Sequence, residues 1–189
     1  GKGYMGFPFY KRLIDQDLVC VIIGKNGEPT LHSQITEMVS YAKEKNVYVC
    51  IYTNSTGNYE DLIKAGIDEI QFSQAPPLLN YCETKVGMNC VTKEEYKKFI
   101  HCANLEPLMG VKSKKRIRPC RNLWRNLVIS WNGEVTPCCI DMHNTLVVGD
   151  ANNESLQDIF NGEKMRHIRK LHLDRKFPKV CKYCDDYFG

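Results

Sequence analysis

Long apolar runs are absent from this sequence, and no stretch reaches the roughly 18 residues that a membrane-spanning helix needs. It also has no secretory signal and no lipidation motif. These absences argue against a membrane partner and favour a cytoplasmic location. Charge of one sign is not in strong excess either, at +4 over 189 residues. Two basic stretches, 112–121 and 164–176, are interpreted as solvated faces, and their lack of interleaved aromatic residues disfavours a nucleic-acid partner.

Internal repeats and segments of disordered composition are absent as well. With 43% hydrophobic residues, a chain of 189 residues can bury a core and form one or two compact units.

Cysteine, in contrast, is plentiful, with ten residues. In a reducing cytoplasm such cysteines favour a metal site, with disulfides as the less favoured alternative. Four of them form a pattern towards the carboxyl end of the chain: Cys120, Cys138, Cys181 and Cys184.

The first 110 residues alternate apolar strands with amphipathic helices. Strands are predicted at 18–23, 47–54, 67–74 and 85–91, with a weaker one at 107–112, and helices at 31–46, 59–66 and 94–103. The helix at 31–46 has its apolar positions at Ile35, Met38, Val39 and Ala42. This alternation predicts a parallel sheet, which holds ligands at the carboxyl ends of its strands. The polar segments GKNGEP, TN and SQ follow the first three strands, so we expect them to converge.

The second part of the chain contains a predicted hairpin and helix. NLVIS and WNGEVTP are expected to pair around a two-residue Asn-Gly turn, and a helix is predicted from near Ser155 to about Leu171. A tight turn would bring Cys120 and Cys138 to the same end of the hairpin. CKYC at 181–184 is a knuckle that aims two sulfurs at one point.

Four thiolates suit either tetrahedral zinc or an iron–sulfur cluster, and a set of metal-free thiols is the third alternative. A zinc ribbon more often uses two CxxC knuckles, whereas this chain has one, which favours iron–sulfur. His167 and His172 lie five residues apart on the predicted helix and therefore on different faces. They are interpreted as surface residues and not as metal ligands.

The spacing C-x12-G-x4-C from Cys120 through Gly133 to Cys138, followed after a long gap by CxxC, resembles the auxiliary-cluster module of radical S-adenosylmethionine enzymes, called SPASM or, in its short form, twitch. NLVISWNGEVTPCC, LVVGDANNESLQDIFNG and the basic helix extend the resemblance over about 70 residues, and the front half is similar to the family's barrel. The resemblance implies an α/β fold, with a partial (β/α) barrel at 1–111 and a small α+β SPASM or twitch domain at 112–189. It also implies that the four cysteines hold one auxiliary [4Fe-4S] cluster.

In that family, the loop of the GEP type binds the amino group of S-adenosylmethionine, which corresponds here to Gly27, Glu28 and Pro29. Later strand tips contact the ribose and carboxylate of the cofactor. The resemblance extends this role, more weakly, to Thr53, Asn54, Ser73, Gln74 and Asn89.

The sequence departs from the family pattern in two respects. The CxxxCxxC triplet that binds the S-adenosylmethionine-cleaving cluster is absent from the 189 residues, as is the first strand of the barrel. We therefore expect a partial chain, with a second [4Fe-4S] cluster on a missing amino-terminal segment, or else a degenerate relative without catalysis. Furthermore, CxxC is followed only by DDYFG, without the further cysteines of the full module, which implies one auxiliary cluster and not two.

The resemblance implies a radical enzyme that forms a 5′-deoxyadenosyl radical to oxidise or modify a small molecule or peptide. A similar cysteine spacing occurs in radical dehydrogenases that oxidise a secondary alcohol of an aminocyclitol, and related modules mature peptides. A reductant such as flavodoxin or ferredoxin is the expected protein partner. The alternative hypothesis is a non-catalytic electron-transfer or interaction subunit that holds one cluster or zinc; the absent triplet favours it, and the intact strand tips oppose it.

Overall fold

The computed structural model describes residues 3–25, 27–53, 59–72, 85–88, 115–182 and 184. The chain divides into two compact units, Gly1–Val91 and Thr92–Gly189. The predicted boundary between residues 111 and 112 lies outside the described residues and stays a prediction, as do the helix at 94–103 and the strand at 107–112. Among the helices of the described ranges, none combines the length and apolar character needed to cross a bilayer.

The first unit contains a four-stranded parallel sheet. Its strands are β1 (Cys20–Ile23), β2 (Tyr48–Thr53), β3 (Glu69–Phe72) and β4 (Lys85–Met88), in the order β1-β2-β3-β4. The helices are α1 (Phe7–Ile14), α2 (Ile35–Glu44) and α3 (Glu60–Lys64), and a 3-10 helix spans Pro29–Leu31. The predicted parallel α/β arrangement is confirmed, whereas closure of the sheet into a barrel stays a prediction.

Helix α2 covers one face of this sheet with the four side chains that the sequence predicts. Ile35, Met38, Val39 and Ala42 are its buried residues. They pack in one cluster with alternate residues of β2, Val49 and Ile51, and with Leu62 of α3 and Ile70 of β3. The apolar side chains that recur every 3.6 residues on the helix and every second residue on the strand therefore pack in a single core.

Strand β1 is only partly buried, although the sequence at 18–23 is a continuous apolar run. Its residues alternate between exposed and half-buried, and Ile22 is 59% exposed. The reason is that β1 lies at the edge of the described sheet and packs only the face of Val21 and Ile23 against the core.

The second unit contains a three-stranded antiparallel sheet and two helices. The strands are β5 (Val128–Ile129), β6 (Glu134–Thr136) and β7 (Gly149–Asp150), in the order β5-β6-β7. The helices are α4 (Leu156–Asn161) and α5 (Glu163–Leu173), and 3-10 helices span Arg121–Trp124 and Lys179–Cys181. Strand β7 was not among the predicted elements, because two residues carry no periodic pattern.

The hairpin forms at the predicted place, but its loop has three residues and not two. Ile129 pairs with Val135, and Ser130 N donates to Glu134 O at 2.9 Å, which leaves residues 131–133 as the loop. Gly133 N donates to Ser130 O at 3.0 Å, and the φ of Gly133 is +92°. A type I turn followed by a left-handed residue is the usual three-residue hairpin loop, and it places the glycine third.

The predicted single helix from Ser155 to about Leu171 is two helices. Ser155 Oγ accepts from Asp158 N at 3.0 Å and caps α4, as the predicted start implies. Gly162 has extended backbone (φ −67°, ψ 166°), so it ends α4 and precedes α5. Apolar residues continue across this break, which is why the sequence pattern reads as one helix.

Candidate metal centre and cofactor loop

The structure brings the four predicted metal ligands together around one pocket. Cys120, Cys138, Cys181 and Cys184 all line it. Cys120 precedes the 3-10 helix Arg121–Trp124, and Cys138 follows β6. In the knuckle, Cys184 N donates to Cys181 O at 3.2 Å and closes the turn that the CxxC spacing predicts. The pocket thus joins the base of the hairpin to the knuckle.

Hydrogen-bond donors face two of these sulfurs. Cys184 is 7% exposed, and its Sγ accepts from Nη2 of Arg116 at 3.2 Å. Ile140 N donates to the Sγ of Cys138 at 3.4 Å. Amide and guanidinium donors to cysteine sulfur are typical of the surroundings of metal-bound thiolates.

Three of the pocket thiols have a raised pKa, which favours their protonated form when no metal is bound. Burial, with smaller contributions from Cys184 and Cys120, raises the pKa of Cys181 to about 12. Burial also raises the pKa of Cys120, and a hydrogen bond with Cys139 followed by burial raises that of Cys138. Binding of a metal as thiolates must therefore release protons, and it offsets the cost of the buried charge.

The four thiols that line this pocket can be compared with the ligand sets of an iron–sulfur cluster and of zinc. Within the described residues, no three Cys, His, Asp or Glu side chains are grouped so that they could hold one metal ion. Yet all four thiols line the same pocket. A [4Fe-4S] cluster takes one thiolate on each iron, so its ligands need not meet at one point, whereas zinc requires four ligands at about 2.3 Å. All four donors are thiols, which is the donor set that a [4Fe-4S] cluster takes.

His172 is a pocket residue that the sequence interpretation placed wrongly on the surface. It is fully buried, lines the pocket, and its Nδ1 accepts from Cys120 N at 3.2 Å. Because Nδ1 accepts, the proton of the neutral ring is on Nε2. Burial, and then the charge of Arg116, lowers the pKa of His172 to about 4. His167 is exposed, as predicted.

The error has an identifiable cause in the helical spacing. His172 follows Met165 and Ile168 at intervals of seven and four residues, so it shares their buried face of α5. The separation of five residues between His167 and His172 does not show that His172 lies on the buried face with Met165 and Ile168.

His172→Ala is expected to destabilise the second unit by about 2–3 kcal/mol, because it opens a cavity and leaves the amide of Cys120 without its acceptor. Urea unfolding of the iron-loaded chain would measure the loss. His167→Ala on the exposed face of α5 is the matched control and should change stability by less than about 0.5 kcal/mol. Equal effects of the two variants would contradict the structural role of His172.

Arg116 is a second pocket residue that the sequence interpretation missed. It belongs to the basic stretch 112–121, which was interpreted as solvated, but it is 6% exposed. Its neighbours Lys115, Arg118 and Arg121 are exposed, as expected for a solvated face. No sequence signal separates Arg116 from them, apart from its place four residues before Cys120.

Two of the residues predicted to bind S-adenosylmethionine lie in contact, one in the loop after β1 and the other at the end of β2. Oε1 of Glu28 accepts from Oγ1 of Thr53 at 2.7 Å, which joins the loop after β1 to the carboxyl end of β2. The same oxygen accepts from N and Oγ1 of Thr30 at 3.1 and 2.6 Å. Oγ1 of Thr53 also lies 3.2 Å from the hydroxyl of Tyr59. Thr30 and Tyr59 were not among the predicted site residues, because a single hydroxyl gives no sequence signal.

The other predicted cofactor residues divide into two groups. Gly27 is exposed with a φ of +102°, and Pro29 is buried as the first residue of its 3-10 helix, whose N-cap is Glu28. Outside the described residues lie Asn54, Ser73, Gln74 and Asn89. The cofactor role of the whole set stays a prediction.

The chain is similar to known proteins in sequence and in structure. The family model SPASM, an iron–sulfur cluster-binding domain, matches residues 120–185. A crystal structure of BtrN in complex with AdoMet and 2-DOIA is similar with a TM-score of 0.77 at 19% identity, over 96% of this chain and 80% of BtrN. The selenomethionine form of BtrN in an open conformation gives 0.70 at 20% identity, with the same coverage. No curated protein sequence matches the chain.

The two similarities differ in extent, because one covers the cysteine module and the other covers the fold of nearly the whole chain. The SPASM match covers the segment from the first to the last of the four pocket cysteines. The likeness to BtrN shows a shared fold across nearly the whole chain. The predicted resemblance to radical S-adenosylmethionine enzymes with a carboxyl-terminal SPASM domain is therefore confirmed, in the cysteine module and in the fold.

Proposed function

We propose that this chain is a radical S-adenosylmethionine enzyme, or part of one, that oxidises or modifies a small molecule or peptide and holds one auxiliary [4Fe-4S] cluster. The observation that carries the proposal is the convergence of Cys120, Cys138, Cys181 and Cys184 on one pocket inside the segment that matches SPASM. The likeness to BtrN, solved with AdoMet and 2-DOIA, supports it.

The residues of the pocket would ligate the cluster and shield it. When bound, the cluster supplies one-electron redox chemistry. The four thiols provide the ligands, while Leu123, Ile140 and Leu146 line the same pocket and exclude water. Shielding from water matters because solvent exposure is one of the properties that set the potential of an iron–sulfur cluster.

Glu28 would bind the ammonium of S-adenosylmethionine. Its carboxylate lies beyond β1 and is oriented by hydroxyl donors from Thr30 and Thr53. A carboxylate whose position is already fixed loses little side-chain entropy when an ammonium binds. Because Glu28 also caps the 3-10 helix Pro29–Leu31, a test must separate the loss of charge from the loss of the cap.

The test uses a longer chain that includes a CxxxCxxC segment, reconstituted anaerobically. Calorimetry should show that this chain binds S-adenosylmethionine, and that Glu28→Ala weakens binding by about 1–3 kcal/mol. Glu28→Gln keeps an oxygen that can cap the helix but removes the charge, so it should still weaken binding. Glu37→Gln, at an exposed position of α2, is the control and should bind as the wild type does.

The same preparation tests the reaction. After reduction by dithionite it should release 5′-deoxyadenosine, and 2-DOIA and related aminocyclitols are the first compounds to screen, because BtrN was solved with 2-DOIA. Flavodoxin or ferredoxin is the proposed physiological reductant. A chain that carries the triplet but neither binds nor cleaves S-adenosylmethionine would overturn the enzymatic proposal.

The second candidate function is a non-catalytic electron-transfer or interaction subunit. The pocket of four thiols supports it, because ligation of a cluster by these thiols does not require the loop that contains Glu28. Such a subunit would bind the cluster, as the proposed enzyme does, but it would not bind S-adenosylmethionine. A longer chain that binds the cluster and has no affinity for S-adenosylmethionine would therefore support this second function.

A further inference from the structure

Arg116 is held against the cysteine knuckle by both its backbone and its side chain. Its N donates to Lys182 O at 2.9 Å, inside the CKYC segment. Its Nη1 donates to Arg118 O at 3.1 Å, and its Nη2 donates to the Sγ of Cys184 at 3.2 Å. A planar guanidinium anchored at two of its nitrogens has a fixed direction, so the donor to Cys184 is directed by the fold.

The charge of Arg116 is buried among sulfurs. The side chain lines the pocket together with all four cysteines. Arg116 is 6% exposed, so water screens its charge only weakly from the sulfurs around it. The guanidinium therefore acts electrostatically on the predicted ligands that line the same pocket.

The other polar side chains described in the pocket do not supply a positive charge. His172 is neutral, as its lowered pKa shows. The carboxylate of Asp141 accepts from N and Oγ1 of Thr145 and from N of Leu146, at 2.8–2.9 Å. Among the described residues that line the pocket, Arg116 is thus the one arginine or lysine.

We propose that Arg116 is a positioning residue that holds the sulfur of Cys184 in place and raises the reduction potential of the auxiliary cluster. The inference rests on the proposed function in that the pocket holds an iron–sulfur cluster. Four thiolates give the cluster a net negative charge, and reduction adds one electron without a proton. A fixed positive charge and an N–H···S hydrogen bond stabilise the more negative, reduced form more than the oxidised form, so the potential rises.

The experiment compares reduction potentials of the 189-residue chain, loaded with iron and sulfide under anaerobic conditions. Potentials are measured by titration with dithionite, followed by the electron paramagnetic resonance signal of the reduced cluster. Arg116→Met removes the charge and should give a lower potential and faster loss of iron to a chelator. Arg116→Lys keeps the charge without the planar fork and should lie between this variant and the wild type.

Arg118→Met is the matched control, because Arg118 is exposed and contributes to this network through its backbone oxygen. Its potential should equal that of the wild type. If Arg116→Met binds the cluster with an unchanged potential, the inference is overturned while the cluster proposal stands. A wild type that takes up no iron overturns both.

A spectroscopic measurement on the wild type covers the case in which the Arg116 variants do not fold. With ¹⁵N-guanidino-labelled arginine, pulsed electron paramagnetic resonance of the reduced cluster should detect one coupled arginine nitrogen. Absence of that coupling in a fully loaded wild type would overturn the inference without any variant.

Discussion

Cys184→Ala is expected to abolish the brown colour of the anaerobically reconstituted chain and to reduce its iron from about four per chain to a small residual fraction. Cys184 is 7% exposed and lines the pocket with the other three cysteines, so no water or neighbouring side chain replaces its sulfur easily. Cys120→Ala, at the opposite side of the sequence module, should have the same result. The second unit should also lose stability, because its small core depends on the metal.

Iron analysis, absorption spectra and urea unfolding measure these effects. Cys139→Ala is the nearest matched control, since Cys139 is half-buried beside Cys138 but is not one of the predicted ligands. Cys20→Ala, at an exposed position of the first unit, is the remote control. Both should keep the colour. Stoichiometric zinc without iron in the wild type, or full iron in Cys184→Ala, would contradict the assignment of the cluster.

Gly24→Ala is expected to destabilise the first unit by about 2–5 kcal/mol. Gly24 has a φ of +129°, where a side chain is strained, and an added Cβ would lie 2.8 Å from the carbonyl oxygen of Tyr52 and 3.2 Å from Cγ of Pro29. The backbone cost is about 1–3 kcal/mol, and displacing a packed strand adds a similar amount. Since Pro29 follows Glu28, the shift should also weaken cofactor binding in the longer chain.

Gly27→Ala separates the two contributions. Gly27 also has a positive φ, of +102°, but apart from Gly27 itself and its two chain neighbours, no atom of the described residues lies within 4 Å of an added Cβ. It should therefore lose only the conformational part, about 1 kcal/mol. Thermal unfolding of the two variants under the same conditions gives the comparison. Equal losses would show that the close approach of Gly24 to β2 has no energetic weight.

Regular periodicity is the part of this fold that the sequence predicts well. The buried face of α2 and the succession of parallel strands follow from side-chain patterns that extend over several residues. Local features that depend on one residue are predicted less well. The hairpin loop is one residue longer than the Asn-Gly pair implies, and Gly162 divides a continuous apolar pattern into two helices.

The candidate site also has some features that the sequence predicts well and others that it does not predict. Cysteine spacing predicts which thiols meet, because turn geometry fixes the distance between residues that are near in sequence. Arg116 and His172 escape prediction because their burial results from packing between distant segments: Arg116 contacts Cys184, and His172 contacts Cys120. The sequence pattern of a basic stretch is the same whether all of its basic side chains are exposed or one of them is buried.

The hydrogen bond from Arg116 N to Lys182 O has a consequence for the architecture of the cysteine module. It places the beginning and the end of the segment 116–182 side by side, with the hairpin, both helices and three of the four pocket cysteines between them, and Cys184 follows two residues later. A segment whose two ends meet can be inserted into a surface loop of a host protein without separating the flanking residues of that loop. The module, extended to Cys184, therefore has the geometry of a transferable insert that would carry the proposed cluster site with it into another scaffold.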